Sequence, residues 1–133
     1  MQIYKSETVK SVDQFVDDLI ETAEAREFLI HNEENIDMTY TFGRHGVEVA
    51  QGFDLQMIQI CKPEKAAMSL SKNPERAVLM PKFIMVFSQE GVTQIRFLHY
   101  SEDAVRTMVD DAEFPDSLVE SFNQIITLIE AAR

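Results

Sequence analysis

The chain has 133 residues, 45% of them hydrophobic, a composition typical of one ordinary globular domain spanning residues 1–133. Twelve basic residues against 23 acidic ones give a formal net charge of −11. Because this charge repels nucleic-acid phosphates and anionic lipid headgroups, we expect no nucleic-acid partner and no membrane partner. One cysteine cannot form an intrachain disulfide, and the first residues carry no apolar signal segment, so we expect a cytoplasmic protein.

The first third of the chain predicts a strand, a helix and a second strand. Residues 2–9 suit a short strand. Ser11 and Gln14 fit a capping box that begins a helix. Apolar residues then recur at helical spacing on one face: Val12, Phe15, Val16, Leu19, Ile20 and Ala23. Residues 27–31 predict a second, short strand, and the polar run 32–35 predicts a loop.

The middle of the chain is harder to assign. Residues 38–42 have strand propensity, yet Asp37 is a suitable cap for a short helix. Residues 47–61 predict a long strand in which the apolar alternation changes phase between Met57 and Ile58. That change indicates either a β-bulge or a central strand that is covered on both faces.

The last part of the chain has clear boundaries. Pro63 fits the first position of a helix that ends at Asn73-Pro74. Residues 83–87 and 92–99 predict a β-hairpin, and Ser101 predicts the cap of a further helix. Phe114-Pro115 begins a final amphipathic helix, whose apolar positions are Leu118, Val119, Phe122, Ile125, Ile126 and Ile129.

Several short segments between residues 53 and 98 resemble one known family. Residues 60–66, Ile-Cys-Lys-Pro-Glu-Lys-Ala, resemble the Cys-Asn-Pro-x-x-Ala segment of the domain-of-unknown-function family 302. Leu70, Asn73-Pro74, Leu79-Met80-Pro81-Lys82 and Val86 resemble that family's leucine, acidic-Pro step, Leu-Pro-Cys motif and strand valine. The sequence departs from the pattern twice, since Lys62 replaces the asparagine and Lys82 replaces the second cysteine.

The resemblance implies an α+β, TBP-like fold, in which a curled antiparallel sheet packs against helices and the C-terminal helix is long. It also implies that residues 37–46 are helical, and we favour that assignment over strand propensity. It implies no biochemical activity, since the function of the family is not established. We expect no cofactor. If the family's two cysteines act together as a redox pair or as metal ligands, this chain has lost that option.

Cys61 is the sharpest candidate for chemistry, because it precedes a helix start and lies beside Lys62. One hypothesis is a thiol whose pKa is lowered by the helix dipole and by Lys62 and Lys82. The alternative, which we favour, is a small buried residue that packs at the strand–helix junction. The histidines His31, His45 and His99 lie on separate segments without zinc-site spacing, so we expect structural or surface roles and no metal.

These observations favour a non-enzymatic binding or interaction module that takes a small molecule near Cys61, Lys62, Pro63 and Lys82. The alternative function is a thiol-dependent enzyme or redox sensor that uses Cys61. A third interpretation is assembly, in which edge strands or the apolar helix 115–132 pair in a homodimer.

Overall fold

The computed structural model describes residues 1–133 and shows an α+β fold. The strands are β1 (Gln2–Thr8), β2 (Leu29–Ile30), β3 (Leu55–Cys61), β4 (Phe83–Gln89) and β5 (Val92–His99). The α-helices are α1 (Val12–Ala25), α2 (Met38–Arg44), α3 (Pro63–Lys72), α4 (Glu102–Met108) and α5 (Phe114–Ala132). Short 3-10 helices span Glu33–Asn35, in the predicted polar loop, and Pro74–Leu79. No helix has the length and apolar character needed to cross a bilayer.

The five strands form one open antiparallel sheet in the order β1-β5-β4-β3-β2. This confirms the predicted fold class and the predicted hairpin. The hairpin turn consists of Glu90 and Gly91, which both have positive φ (53° and 80°). A two-residue turn with positive φ at both positions matches the right-handed twist of the strands it joins.

The core lies between one face of the sheet and the helices α1 and α5. Twenty-three buried apolar side chains form one cluster there. Alternate residues of the central strands supply the sheet side of it: Ile58, Ile60, Ile84, Val86, Ile95 and Phe97. The predicted stripe of α1 is buried as expected, except for the half-buried Ile20. Ser11 caps this helix by accepting a hydrogen bond from the backbone N–H of Gln14.

Strand β3 differs from the prediction in length and in regularity. It begins at Leu55, so the long strand predicted over residues 47–61 is wrong in its first half. The β-bulge is also wrong, because the pairing with β4 runs without interruption from Leu55 to Gln59. Gln56 takes a core-facing position with only 8% of its surface exposed, and its Nε2 donates to Asp13 Oδ1 at 2.7 Å. The apolar pattern suggested a change of phase only because a polar residue, Gln56, occupies a position that faces the core.

Residues 38–44 are helical, as the family resemblance implied, and the strand propensity is overridden. Asp37 caps α2 by accepting a hydrogen bond from the backbone N–H of Thr39. Gly46, with a φ of 73°, follows the end of this helix. The similarity to a TBP-like sheet in particular stays a prediction.

Candidate functional site

A cavity of about 430 Å³ lies between the end of β3, helix α3, the turn Pro74–Leu79 and the first half of α5. Its volume falls in the usual range of small-molecule sites, roughly 300–1,000 Å³. Half of its 22 lining residues are hydrophobic. His31, Pro63 and Pro81, which also line it, are exposed, so the cavity opens to solvent.

The local sequence explains why the chain turns here. Lys62 has an extended backbone, and Pro63 then begins α3 with a fixed φ and no N–H to satisfy. Asn73 ends α3, and its side chain accepts from the backbone N–H of Glu75 to begin the 3-10 turn. The structure places all four residues singled out from the sequence, Cys61, Lys62, Pro63 and Lys82, in the wall of this cavity.

Cys61 contacts a histidine that the sequence did not connect with it. The Nε2 atom of His31 lies 2.7 Å from the Sγ atom of Cys61. The two residues meet because β2, which ends at Ile30, pairs with β3 in a register that sets Leu29 opposite Cys61. No third His, Cys, Asp or Glu joins them to complete a metal site.

The thiol does not have the lowered pKa that the helix-dipole argument predicted. Burial raises the pKa of Cys61, and the nearby Lys82 ammonium opposes this rise only in part. The low-pKa hypothesis is therefore wrong in direction, because loss of hydration penalises the thiolate more than the positive charge stabilises it. The side chain is also not the buried packing residue of the alternative, since it is half-buried in the cavity wall.

Three lysines that line the cavity have no carboxylate partner. Burial lowers the pKa of Lys82, and the Nζ of this residue donates only to the carbonyl of Met80, at 3.3 Å. Lys65 Nζ donates to Ser121 Oγ at 3.0 Å. Lys62 Nζ lies 4.8 Å from the ring centroid of Phe28, in a cation–π contact. None of the six ion pairs in the structure includes any of these lysines.

The wall contributed by α5 was not predicted as part of a site. Ser117, Ser121 and Gln124 line the cavity alongside the apolar Leu118 and Ile125. The sequence does carry a signal, because residues spaced by four and three along a helix share one face. Polar residues on a helix usually face solvent, however, and only the position of α3 across the cavity from this face encloses them.

Similarity to known proteins is found at the level of family and fold. Residues 4–132 match the model of the family described as domain of unknown function DUF302. The structure is similar to a crystal structure of an uncharacterized conserved DUF302 protein from Bacillus stearothermophilus, with a TM-score of 0.80 and 16% sequence identity. The alignment covers 100% of this chain and 99% of that one, which supports the fold alone. No curated protein matches the chain.

Proposed function

We propose that this chain, which belongs to the DUF302 family of domains of unknown function, is a binding module that holds a small molecule in the cavity beside Cys61. The observation that carries the proposal is the preformed cavity of about 430 Å³, with an apolar wall and a few converging polar groups. Sites that bind small molecules combine these two features, since the apolar wall supplies affinity and the polar groups fix orientation.

A cavity-filling experiment tests this function. Purified protein is screened by thermal shift against anionic, cationic and neutral small molecules, and we expect at least one of them to raise Tm. Ala66→Phe, on the α3 wall, and Ser121→Phe, on the α5 wall, each fill the cavity from a different side and should abolish the shift. Met68→Phe is the matched control, because Met68 lies on α3 outside the cavity and is 67% exposed.

Two results would contradict a binding function at this place. One is a screen in which no compound of any charge class stabilises the protein. The other is a compound whose Tm shift survives both filling variants. Because the two variants come from opposite walls, failure of one to fold leaves the other to decide.

The contact between Cys61 and His31 favours a second function, a thiol-dependent enzyme or redox sensor. A thiol beside an imidazole is the arrangement by which proteins activate a sulfur nucleophile. Dilute hydrogen peroxide followed by dimedone labelling should then give a sulfenic-acid adduct on Cys61, reduced at least about tenfold in His31→Ala. A protein that resists labelling would contradict this function and leave the binding proposal standing.

We also propose that residues 1–133 form one domain. The single cluster of buried apolar side chains supports this proposal.

Strand β1 supports the proposal of a homodimer, because this edge strand pairs only with β5 and its other edge is free to pair with a second copy. It also carries Ile3 with 54% of its surface exposed. Light scattering should then give twice the chain mass of 15.3 kDa, and Ile3→Lys should restore the monomer. A wild-type monomer would contradict the homodimer. The cytoplasmic location stays a prediction.

A further inference from the structure

We infer that the ligand of this cavity is an amphipathic anion: a carboxylate on a short apolar chain or ring, with its charged end beside Lys82 and Lys65. This inference rests on the proposed binding function and adds the chemical class of what is bound. It is carried by the charge of the cavity wall, by ammonium groups that lack a counter-ion, and by an uncapped helix start.

The charge of the wall is opposite to the charge of the protein. The chain holds 23 acidic residues and has a formal net charge of −11, yet none of the 22 lining residues is Asp or Glu. Three of its six lysines, Lys62, Lys65 and Lys82, line the cavity together with His31. A positively charged concavity on an acidic protein attracts anions locally, because low-dielectric walls focus the field inside the cleft.

Lys82 and Lys65 are partly buried and have no negatively charged partner. An ammonium group removed from water is costly unless an opposite charge compensates it. Lys82 is half-buried and close enough to Lys65 for the two like charges to oppose each other, which adds to the lowering of the pKa of Lys82. A carboxylate between them would offset both the desolvation of Lys82 and this repulsion.

The N-terminus of α3 adds positive potential on the same wall. Side chains cap α1, α2 and α4, through Ser11, Asp37 and Ser101. Helix α3 has no side-chain cap, and its first residue, Pro63, lines the cavity. An uncapped helix start leaves backbone N–H groups and the positive end of the helix dipole available to an anion.

The rest of the wall suits an apolar body rather than a sugar or a nucleotide. Large apolar side chains converge there: Phe28, Leu70, Met80, Phe114, Leu118 and Ile125. No arginine lines the cavity, so the bidentate recognition that phosphate groups commonly receive is absent. These features favour a singly charged carboxylate with a hydrocarbon body.

Three probes that share one chain and differ in the headgroup test the inference. Decanoate, decanol and decylammonium are titrated into the full-length protein by calorimetry, below their micellar concentrations. We expect decanoate to bind at least about tenfold more tightly than either of the others. The protein's net charge of −11 favours the cation overall, so a preference for the anion must arise locally.

Substitutions of single lysines test whether the preference for decanoate arises at the cavity. Lys82→Met should bring decanoate down to the affinity of decanol, and Lys65→Met should act in the same direction. Lys72→Met is the matched control, because Lys72 lies on α3 outside the cavity and pairs with Glu113 at 3.6 Å. It should leave the preference unchanged.

The outcomes separate this inference from the binding function on which it rests. Equal affinity for decanoate and decanol, abolished by Ala66→Phe, would overturn the anionic class while the cavity still binds. A preference for decanoate that survives both Lys82→Met and Lys65→Met would overturn it too. If none of the three probes binds, the inference fails, and the compound screen described above decides the binding function separately.

Discussion

Arg76 and Asp111 form a bidentate ion pair beneath the cavity wall. The Nε of Arg76 donates to Asp111 Oδ2 at 2.7 Å, and a second guanidinium nitrogen donates to Oδ1 at 2.9 Å. Asp111 also accepts from the side chain of Asn73 and from the backbone N–H groups of Glu113 and Phe114. One carboxylate thus joins the end of α3, the 3-10 turn and the start of α5, which are three of the elements that enclose the cavity.

Asp111→Asn should lower Tm on the order of 10 °C, as measured by circular dichroism. The side chains of the pair are only 7% and 6% exposed, so the substitution leaves the charge of Arg76 buried without its partner. Glu102→Gln is the control, because it breaks the ion pair with Arg106, in which both side chains are nearly half exposed. That change should shift Tm by about 2 °C or less. Equal shifts in the two variants would show that the buried pair is not a structural clamp.

The same pair predicts how stability depends on acid. Hydrogen bonds from Arg76 and Asn73 hold the pKa of Asp111 well below its ordinary value. The unfolded chain therefore takes up this proton at about pH 4, whereas the folded protein does so only at a much lower pH. The contribution of Asp111 to stability is present above about pH 4 and is lost as the pH falls through the lowered pKa.

Urea unfolding at a series of pH values from 2.5 to 7, at roughly half-unit steps on both sides of pH 4, measures how this contribution begins to be lost. Asp111→Asn should show a shallower loss of stability below about pH 4, by about one proton, because the variant has no carboxylate to titrate. Parallel profiles for the wild type and the variant would contradict the assignment.

Two residues of β5 test which face of the sheet is the core. Ile95 is fully buried, whereas Leu98, three positions along the strand and on the other face, is 38% exposed. Ile95→Ala should reduce the free energy of unfolding by about 2–5 kcal/mol, because it leaves a cavity in the packed layer. Leu98→Ala should cost less than about 1 kcal/mol. If Leu98→Ala were as costly as Ile95→Ala, the open face of the sheet would have to be covered by a partner.

Cys61 should react slowly with iodoacetamide. Because burial raises the pKa of Cys61, the thiolate is scarce at pH 7.5, and we expect alkylation at least about tenfold slower than that of free cysteine. Lys82→Met should slow it further, since the Lys82 charge opposes the rise in the pKa of the thiol. Urea-unfolded protein, followed by mass spectrometry, gives the rate of the accessible thiol. A folded protein that reacts as fast as free cysteine would favour the thiol-based function instead.

The sequence predicted most of the elements because their signals are local. The stripe of α1 with its Ser11 cap, Pro63 at the start of α3 and the break at Asn73-Pro74 each depend on neighbouring residues. Errors arose where a distant partner decides the outcome. Gln56 faces the core because Asp13, 43 residues away, satisfies its amide. The start of β3 depends on where β4 pairs with it, which propensity does not reveal.

For the candidate site, the sequence by itself determined the junction of Cys61, Lys62 and Pro63, because a strand end, an extended residue and a helix-starting proline are adjacent in the chain. Only the tertiary structure decided what surrounds that junction. Strand pairing brings His31 to Cys61, and the position of α3 across the cavity from α5 brings Lys65 to Ser121. The direction in which the pKa of Cys61 shifts also depends on the tertiary structure, since the loss of hydration on burial outweighs the nearby charge of Lys82.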